Sequence, residues 1–141
     1  MNYLLDTNVV SEWTKPRPDA GVVEWLATVD EDRVFISVVT LAELRFGVER
    51  MDKGARRNHL DSWLTDELPR RFEERIIVVT PDLADVWGRM MARGQSVGRP
   101  VGSRDALIAA TAGQQQFTLV TRNVSDFEAL DIPLLNPWQE R

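Results

Sequence analysis

Met1-Asn2-Tyr3-Leu4-Leu5-Asp6-Thr7-Asn8-Val9-Val10-Ser11-Glu12-Trp13 is the stretch from which the rest of the chain is read. Tyr3-Leu4-Leu5 is a short apolar run. Asp6-Thr7-Asn8 stops it, and an amphipathic segment follows to Trp13. The pattern predicts a buried strand, an acid at its carboxyl end, then a helix start. In open parallel α/β sheets ligands bind outside the carboxyl ends of the strands, so Asp6 is the first candidate for a chemical role.

The same alternation of short apolar runs and helical periodicity continues outward. Val22, Val23, Leu26 and Val29 mark a helix face starting near Pro18-Asp19, and Arg33–Val39 reads as a second strand. Thr40 is expected to open a helix carrying Leu41, Leu44, Val48 and Met51, ended by Lys53-Gly54. Ala55–Phe72 reads as one helix interrupted near Pro69, and Arg75–Thr80 as a third strand. Thr80-Pro81 places a capping residue before proline at the first helical position, and that helix runs towards Gly94. Gly94–Gly102 reads as a loop, after which Ser103 is expected to cap a helix over Arg104–Gln115. Thr118–Thr121 is a fourth strand, Asn123–Phe127 a short helix, and Pro133-Leu134-Leu135 a final short strand. Strands alternating with helices imply an α/β fold, a central parallel sheet with helices on both faces.

Composition narrows the class. The chain has 141 residues, 43% hydrophobic and 28% charged, which is enough for one domain with a real core. It has no cysteine, so disulfides and thiolate metal sites are excluded. No secretory signal pattern or apolar run of membrane-spanning length is present, so a cytoplasmic location with no membrane partner is expected. The net charge of −5 weighs against nucleic acid, but acids gathered on a metal ion would leave the remainder near neutral. Arginine also accounts for 15 of the 17 basic residues; its planar fork suits phosphate, and the same richness equally fits a GC-rich genome.

Asp6, Glu43, Asp105 and Asp126 share an address near helix starts, where carboxylates can meet above the sheet edge. Four acids share a small volume only if a cation compensates them or some are protonated. Oxygen ligands without His or Cys favour Mg²⁺ or Mn²⁺ over zinc. Three of the four also have a capping explanation: Thr40-x-x-Glu43 is a capping box, Asp105 suits a helix dipole, and Asn123-x-x-Asp126 resembles a cap pair. Asp6 is harder to explain that way, although it too could cap the following helix. Arg45, Arg99, Arg104 and Arg122 lie near these acids in sequence, and each by itself reads as solvated surface charge. His59 lies in a helical stretch away from the motifs. Trp13, Trp25, Trp63 and Trp87 read as core or interface, and Trp138 is left open.

Leu4-Leu5-Asp6-Thr7-Asn8, Thr40-Leu41-Ala42-Glu43-Leu44, Asp105-Ala106-Leu107-Ile108-Ala109-Ala110-Thr111-Ala112 and Leu119-Val120-Thr121-Arg122-Asn123-x-x-Asp126-Phe127 together resemble the successive motifs of PIN-domain proteins. Their order and spacing are similar to those of the VapC and FitB-like toxins of toxin–antitoxin modules, and Gly98–Asp105 resembles the FitB-like branch. The resemblance spans nearly the whole chain, taken as one PIN-like domain over residues 1–141. It implies a three-layer α/β/α sandwich, a Mg²⁺-dependent endoribonuclease with Mn²⁺ as possible substitute, an RNA substrate, a homodimer or larger assembly, and a cognate antitoxin. Carried over, it assigns Asp6, Glu43, Asp105 and Asp126 to a catalytic, metal-holding site. Asp6 and Asp105 would hold the ion directly, with Glu43 and Asp126 binding directly, through water or on a second ion. Thr121 and Asn123 would shape the rim, and Thr7 and Asn8 would order Asp6. Two other readings stand beside it: a PIN-like module that binds RNA or protein without cutting, and a phosphatase with Asp6 as nucleophile. The second is weakened by Asn8 where a second Asp is usual.

Overall fold

The structure is a computed structural model describing residues 1–138 of the chain. Five short strands form one parallel sheet: β1 (Tyr3–Leu5), β2 (Val34–Ser37), β3 (Ile76–Ile77), β4 (Thr118–Val120) and β5 (Leu134–Leu135). Their spatial order is β3-β2-β1-β4-β5. The chain therefore winds outward from β1 in one direction, then returns to lay β4 on its other side. The crevice between the carboxyl ends of β1 and β4 is the topological switch point, where α/β sheets place their ligands.

Period-two alternation sends neighbouring strand residues to opposite faces. Leu4 and Leu119 are paired and pack with Ile108, Ala109, Ala112, Phe117 and Phe127 on one face. Leu5 and Val120, also paired, join Val9, Val10, Val22, Ile36, Leu44 and Leu68 on the other. The second face is covered by α1 (Thr7–Trp13), α2 (Ala20–Thr28), α3 (Val38–Glu49), α4 (Ala55–Ser62) and α5 (Leu68–Phe72). The first is covered by α7 (Ser103–Gln115), against which α6 (Pro81–Ser96) packs. The alanines of α7 let it approach the sheet closely, and Ala106, Ala109, Ala110 and Ala112 are fully buried. This is the three-layer α/β/α sandwich expected from the sequence.

Several boundaries differ from the sequence reading. The helix expected to open at Thr40 starts at Val38, and Ser37 caps it by accepting from the Val39 N–H at 3.0 Å. Thr40 is thus an interior helical residue, fully buried, and the Thr40/Glu43 capping box does not form. Glu43 stands in the second turn of α3, not at its start. The Ala55–Phe72 stretch is interrupted by a π-helical segment over Trp63–Glu67, ahead of Pro69, which opens α5 instead of breaking a helix. The third strand is only two residues long, because Val78 and Val79 leave the sheet and are exposed. Thr80 caps α6 as read, but α6 runs two residues past Gly94.

Gly102, not Ser103, is the N-cap of α7, and it offers no side-chain cap bond. What fixes this helix start is Trp87 on α6, whose indole Nε1–H donates to the Ser103 carbonyl at 2.8 Å. The loop before it folds back on α6. The Arg99 N–H donates to the Gly94 carbonyl at 2.8 Å, and a Cβ at position 94 would sit 2.7 Å from the Arg99 carbonyl oxygen. Only glycine admits that approach, so Gly94 lets the loop close back on the end of α6.

Candidate acidic site at the carboxyl ends of β1 and β4

Asp6 follows β1 directly, and its backbone N–H continues the ladder to the Val120 carbonyl at 2.9 Å. The side chain is 1% exposed, so its oxygens need partners inside the protein. Oδ1 accepts from the Thr7 N–H at 2.8 Å, and Oδ2 accepts from the Thr121 hydroxyl at 2.8 Å. Asp6 does cap α1, but capping occupies one oxygen only; the other ties β1 to the end of β4. Thr121 is fully buried and acts as a hub. It donates to Asp6 and accepts from the Asn123 N–H at 3.1 Å and from Asn8 Nδ2 at 3.4 Å. The structure therefore brings Thr7, Asn8, Thr121 and Asn123 to one place, with Thr121 bonded to Asp6 and not merely edging the cleft.

Glu43 arrives from α3. Its Oε1 accepts from the Thr7 hydroxyl at 2.5 Å. The Thr7 hydroxyl has a single proton, so the Thr40 hydroxyl, 3.0 Å away, donates to Thr7. The buried Thr40 thus orders the group that holds Glu43, a role the sequence reading missed by assigning Thr40 to a cap.

Arg104 stands between the acids. Its Nη2 donates to Asp6 Oδ1 at 2.5 Å and to Glu43 Oε1 at 2.8 Å, Nε donates to Glu43 Oε2 at 3.0 Å, and Nη1 donates to Asp105 Oδ1 at 3.1 Å. Reading Arg104 as solvated surface charge is therefore corrected: its guanidinium joins three of the four candidate acids. Burial works against the Arg104 charge, but hydrogen bonds to Glu43 and Asp6 and their Coulomb attraction outweigh it and raise its pKa. Burial likewise opposes the charged form of Glu43, but the bonds from Arg104 and Thr7 hold its pKa below the usual carboxylate value. A sequence signal for this existed. Arg104 is in the first turn of α7, where the helix dipole mildly disfavours a cation, so nearby acids offset its placement there.

Asp126 is placed differently. It ends a 3-10 turn, Val124–Asp126, and is exposed, with no hydrogen bond to the other three acids among the described residues. Asn123 gives that turn no side-chain cap, so the cap-pair explanation of Asn123 and Asp126 does not apply either.

A cleft of about 380 Å³ opens over these groups, walled by Asp6, Thr7, Glu43 and Arg104 on one side and by Asn8, Ser11, Glu12 and Lys15 on another. Positions 8, 11, 12 and 15 are the spacing of one helix face. This polar stripe was legible in the sequence but was overlooked beside the apolar face of α1. Glu12 is 5% exposed; it accepts from the Asp19 N–H at 2.7 Å and pairs with Lys15 at 2.8 Å. Burial opposes its charge, but these two partners hold its pKa below the usual value. Arg122, Asn123 and Trp138 complete the rim, with the Arg122 guanidinium 5.4 Å from the Trp138 ring centre. Arg99 is exposed beside the α6 loop, and Arg45 is in surface ion pairs with Asp61 and Glu49. His59 is exposed on α4, away from the cleft. Trp13, Trp25 and Trp63 pack against the core on the α1–α5 face, and Trp87 packs against Leu83, Leu107 and Ala110.

The donor set is of hard carboxylate and hydroxyl oxygens, with no His or Cys in the cleft, and it suits Mg²⁺ or Mn²⁺ better than zinc. As they stand, no three acids among the described residues are grouped closely enough to hold an ion; they are arranged round a guanidinium.

The PIN domain family profile matches residues 3–132. The chain is 35% identical over 137 residues to the toxin FitB of Neisseria gonorrhoeae, covering 97% of this chain and 99% of FitB. It is also 35% identical over 136 residues to the VapC ribonuclease Y4jK of Sinorhizobium fredii, covering 96% and 97% respectively. Among solved structures, FitAcB from Neisseria gonorrhoeae superposes with a TM-score of 0.91 at 35% identity, covering 98% of this chain and 99% of that one. VapBC-5 from Mycobacterium tuberculosis, a member of the VapBC family of toxin–antitoxin systems, gives a TM-score of 0.68 at 28% identity, covering 96% and 98%.

Proposed function

We propose, from the premise that this chain belongs to the PIN domain family, that it is a metal-dependent endoribonuclease hydrolysing RNA phosphodiesters. In this reading it acts as one domain and as the toxin of a toxin–antitoxin pair, restrained by a cognate antitoxin. The observation that carries the proposal is the setting of Asp6. A carboxylate at the switch point of the sheet has one oxygen fixed by the Thr7 N–H and the other by the Thr121 hydroxyl, with Glu43 fixed beside it through the Thr7 hydroxyl. Second-layer hydrogen bonds of this kind orient the ligands of a metal ion. The relatives support the rest: one is named a toxin, another a VapC ribonuclease, and a structural neighbour belongs to a family of toxin–antitoxin systems.

Asp6 and Asp105 would hold a Mg²⁺ ion, with Mn²⁺ as substitute; Glu43 and Asp126 would bind it directly, through water, or hold a second ion. When bound, such an ion lowers the pKa of a water and neutralises charge building on the phosphate. The remaining work falls to the chain. Thr7 and Thr121 keep the Asp6 carboxylate from rotating, Thr40 fixes the Thr7 hydroxyl, and Asn8 and Asn123 hold Thr121 in place. Lys15 and Arg122 at the rim are cations that an RNA backbone would meet. An antitoxin segment offering an arginine to these carboxylates would block the cleft. A homodimer and a cytoplasmic location belong to the same proposal; no helix among the described residues is long and apolar enough to cross a membrane.

The test is cleavage of a pool of structured RNAs by the purified protein in Mg²⁺, Mn²⁺ or EDTA, beside Asp6→Asn. Cutting that needs metal and disappears in the variant is the expected result; cutting that persists unchanged in Asp6→Asn removes the site. The second reading, RNA binding without cutting, draws on Asp126 lying on an exposed turn outside the ion pairs that Arg104 makes with the other three acids. It takes over if the RNA stays bound and intact in Mg²⁺.

A further inference from the structure

Arg104 meets the oxygens that a metal ion would need. Asp6 Oδ1 already accepts from the Thr7 N–H, so Arg104 Nη2 takes its remaining lone pair. Glu43 Oε1 is filled in the same way by the Thr7 hydroxyl and Arg104 Nη2, while Glu43 Oε2 receives Arg104 Nε. Asp6 Oδ2 faces Thr121, and Thr121 is fully buried. An ion that takes Asp6 Oδ1 or Glu43 Oε1 must therefore displace the guanidinium, and at Glu43 Oε2 it competes with Arg104 Nε. The charges agree: one guanidinium against three carboxylates leaves an excess of negative charge that a divalent ion satisfies better. Arg104 also has a path out to solvent once its bonds are broken. It is the second residue of α7, its side chain is 34% exposed, and no cap bond anchors the helix end through it.

We propose that Arg104 is a built-in counter-cation of the acidic site. It holds Asp6, Glu43 and Asp105 together in the metal-free protein and competes directly with the divalent ion, which binds by displacing it. This rests on the metal-site reading above. It makes Arg104 a positioning residue that sets metal affinity and keeps the metal-free cleft from flying apart by like-charge repulsion.

The readout is metal binding, not cleavage. Mn²⁺ binding to the full chain is measured by electron paramagnetic resonance for wild type, Arg104→Ala, Arg104→Lys and Asp6→Asn. Arg104→Ala is expected to bind Mn²⁺ about tenfold more tightly, a gain of ~1.4 kcal/mol. Arg104→Lys, which keeps a charge but cannot span three carboxylates, is expected to fall between, and Asp6→Asn to lose binding. In ¹⁵N-arginine wild-type protein, the Arg104 Nε–H resonance, assigned by its absence from Arg104→Ala, is expected to be protected without metal and to shift or broaden on adding Mg²⁺. Equal or weaker Mn²⁺ binding by Arg104→Ala, with binding still lost in Asp6→Asn, overturns the competition and leaves the metal site standing. An Arg104 resonance unchanged at saturating Mg²⁺ does the same without relying on the variant's stability. Absence of Mn²⁺ binding in every form overturns the metal site and this proposal together.

Discussion

Two arginines in this molecule each gather acids and a threonine, Arg45 two acids and Arg104 three, and they do different work. Arg45 on α3 donates to Asp61 at 2.6 Å and Thr65 at 3.0 Å and lies 3.5 Å from Glu49, on a face where Asp61, Thr65 and Glu49 are all exposed. Arg104 donates to Asp6, Glu43 and Thr7, and to Asp105 as well, at the end of the sheet. The local chemistry is nearly the same. What separates them is the scaffold: Asp6 is 1% exposed and locked by two further donors, whereas water can replace every partner of Arg45. An ion-pair network acquires consequence when the backbone around it fixes the carboxylates before the cation arrives.

Changes at the two networks should separate accordingly. Asp6→Asn should show the largest effect, a fall in RNA cleavage of about 10³-fold or more, the several kcal/mol of charge stabilisation that a correctly held ion supplies. Circular dichroism should show the fold intact, and cleavage at the wild-type rate would dissolve the contrast. Thr121→Val keeps the shape but removes the donor to Asp6 Oδ2. A loss of about 10–100-fold in activity or metal affinity is expected, as for other second-layer partners. Arg104→Ala should lower the stability of the metal-free protein by about 1–2 kcal/mol, less than a fully buried pair because the side chain reaches solvent. Denaturant unfolding with and without Mn²⁺ should show that deficit shrinking when the metal is present.

Acid should act on the same network. The Glu43 pKa is depressed in the folded state, so its contribution is in full above the ordinary carboxylate value of 4.5 and is lost as pH falls through the lower folded value. In metal-free protein, Glu43→Gln should flatten that acid loss; an unchanged profile would mean that the bonds from Arg104 and Thr7 do not persist in solution. Arg45→Ala should show the smallest effect, a thermal midpoint within about 2 °C of wild type and unaltered Mn²⁺ binding. A larger shift would mean that exposure does not distinguish the two clusters.

The legible and illegible parts of the site divide along the same line. Asp6 was readable because an acid that ends a buried apolar run has few bland explanations. The helix start at Thr80-Pro81 and the alanine-rich face of α7 were readable because capping and close packing impose residue types at fixed spacing. Glu43 was found, but for a place in the helix that it does not occupy: Ser37 and Thr40 are both good caps, and only the position of β2 decides that Ser37 is used. Arg104 and Thr40 were misread because their partners lie 61 and 33 residues away in sequence. The π-helical turn at Trp63–Glu67 left no local mark, and Pro69, the obvious breaker, was innocent.

By itself, the sequence determined the α/β alternation, the strand that delivers Asp6 and the four acids that make a metal-dependent hydrolase the first reading. Those properties are written in periods of two and 3.6 residues and in residue chemistry, which act over a few neighbours. Only the tertiary structure decided that β4 lies beside β1, so that Thr121 meets Asp6, and that a guanidinium from α7 reaches across to α3. It likewise set Asp126 on an exposed turn, outside the ion pairs of Arg104. These are juxtapositions of distant segments, fixed by how two layers of helices cover one sheet, and no local pattern encodes which charge will be facing which.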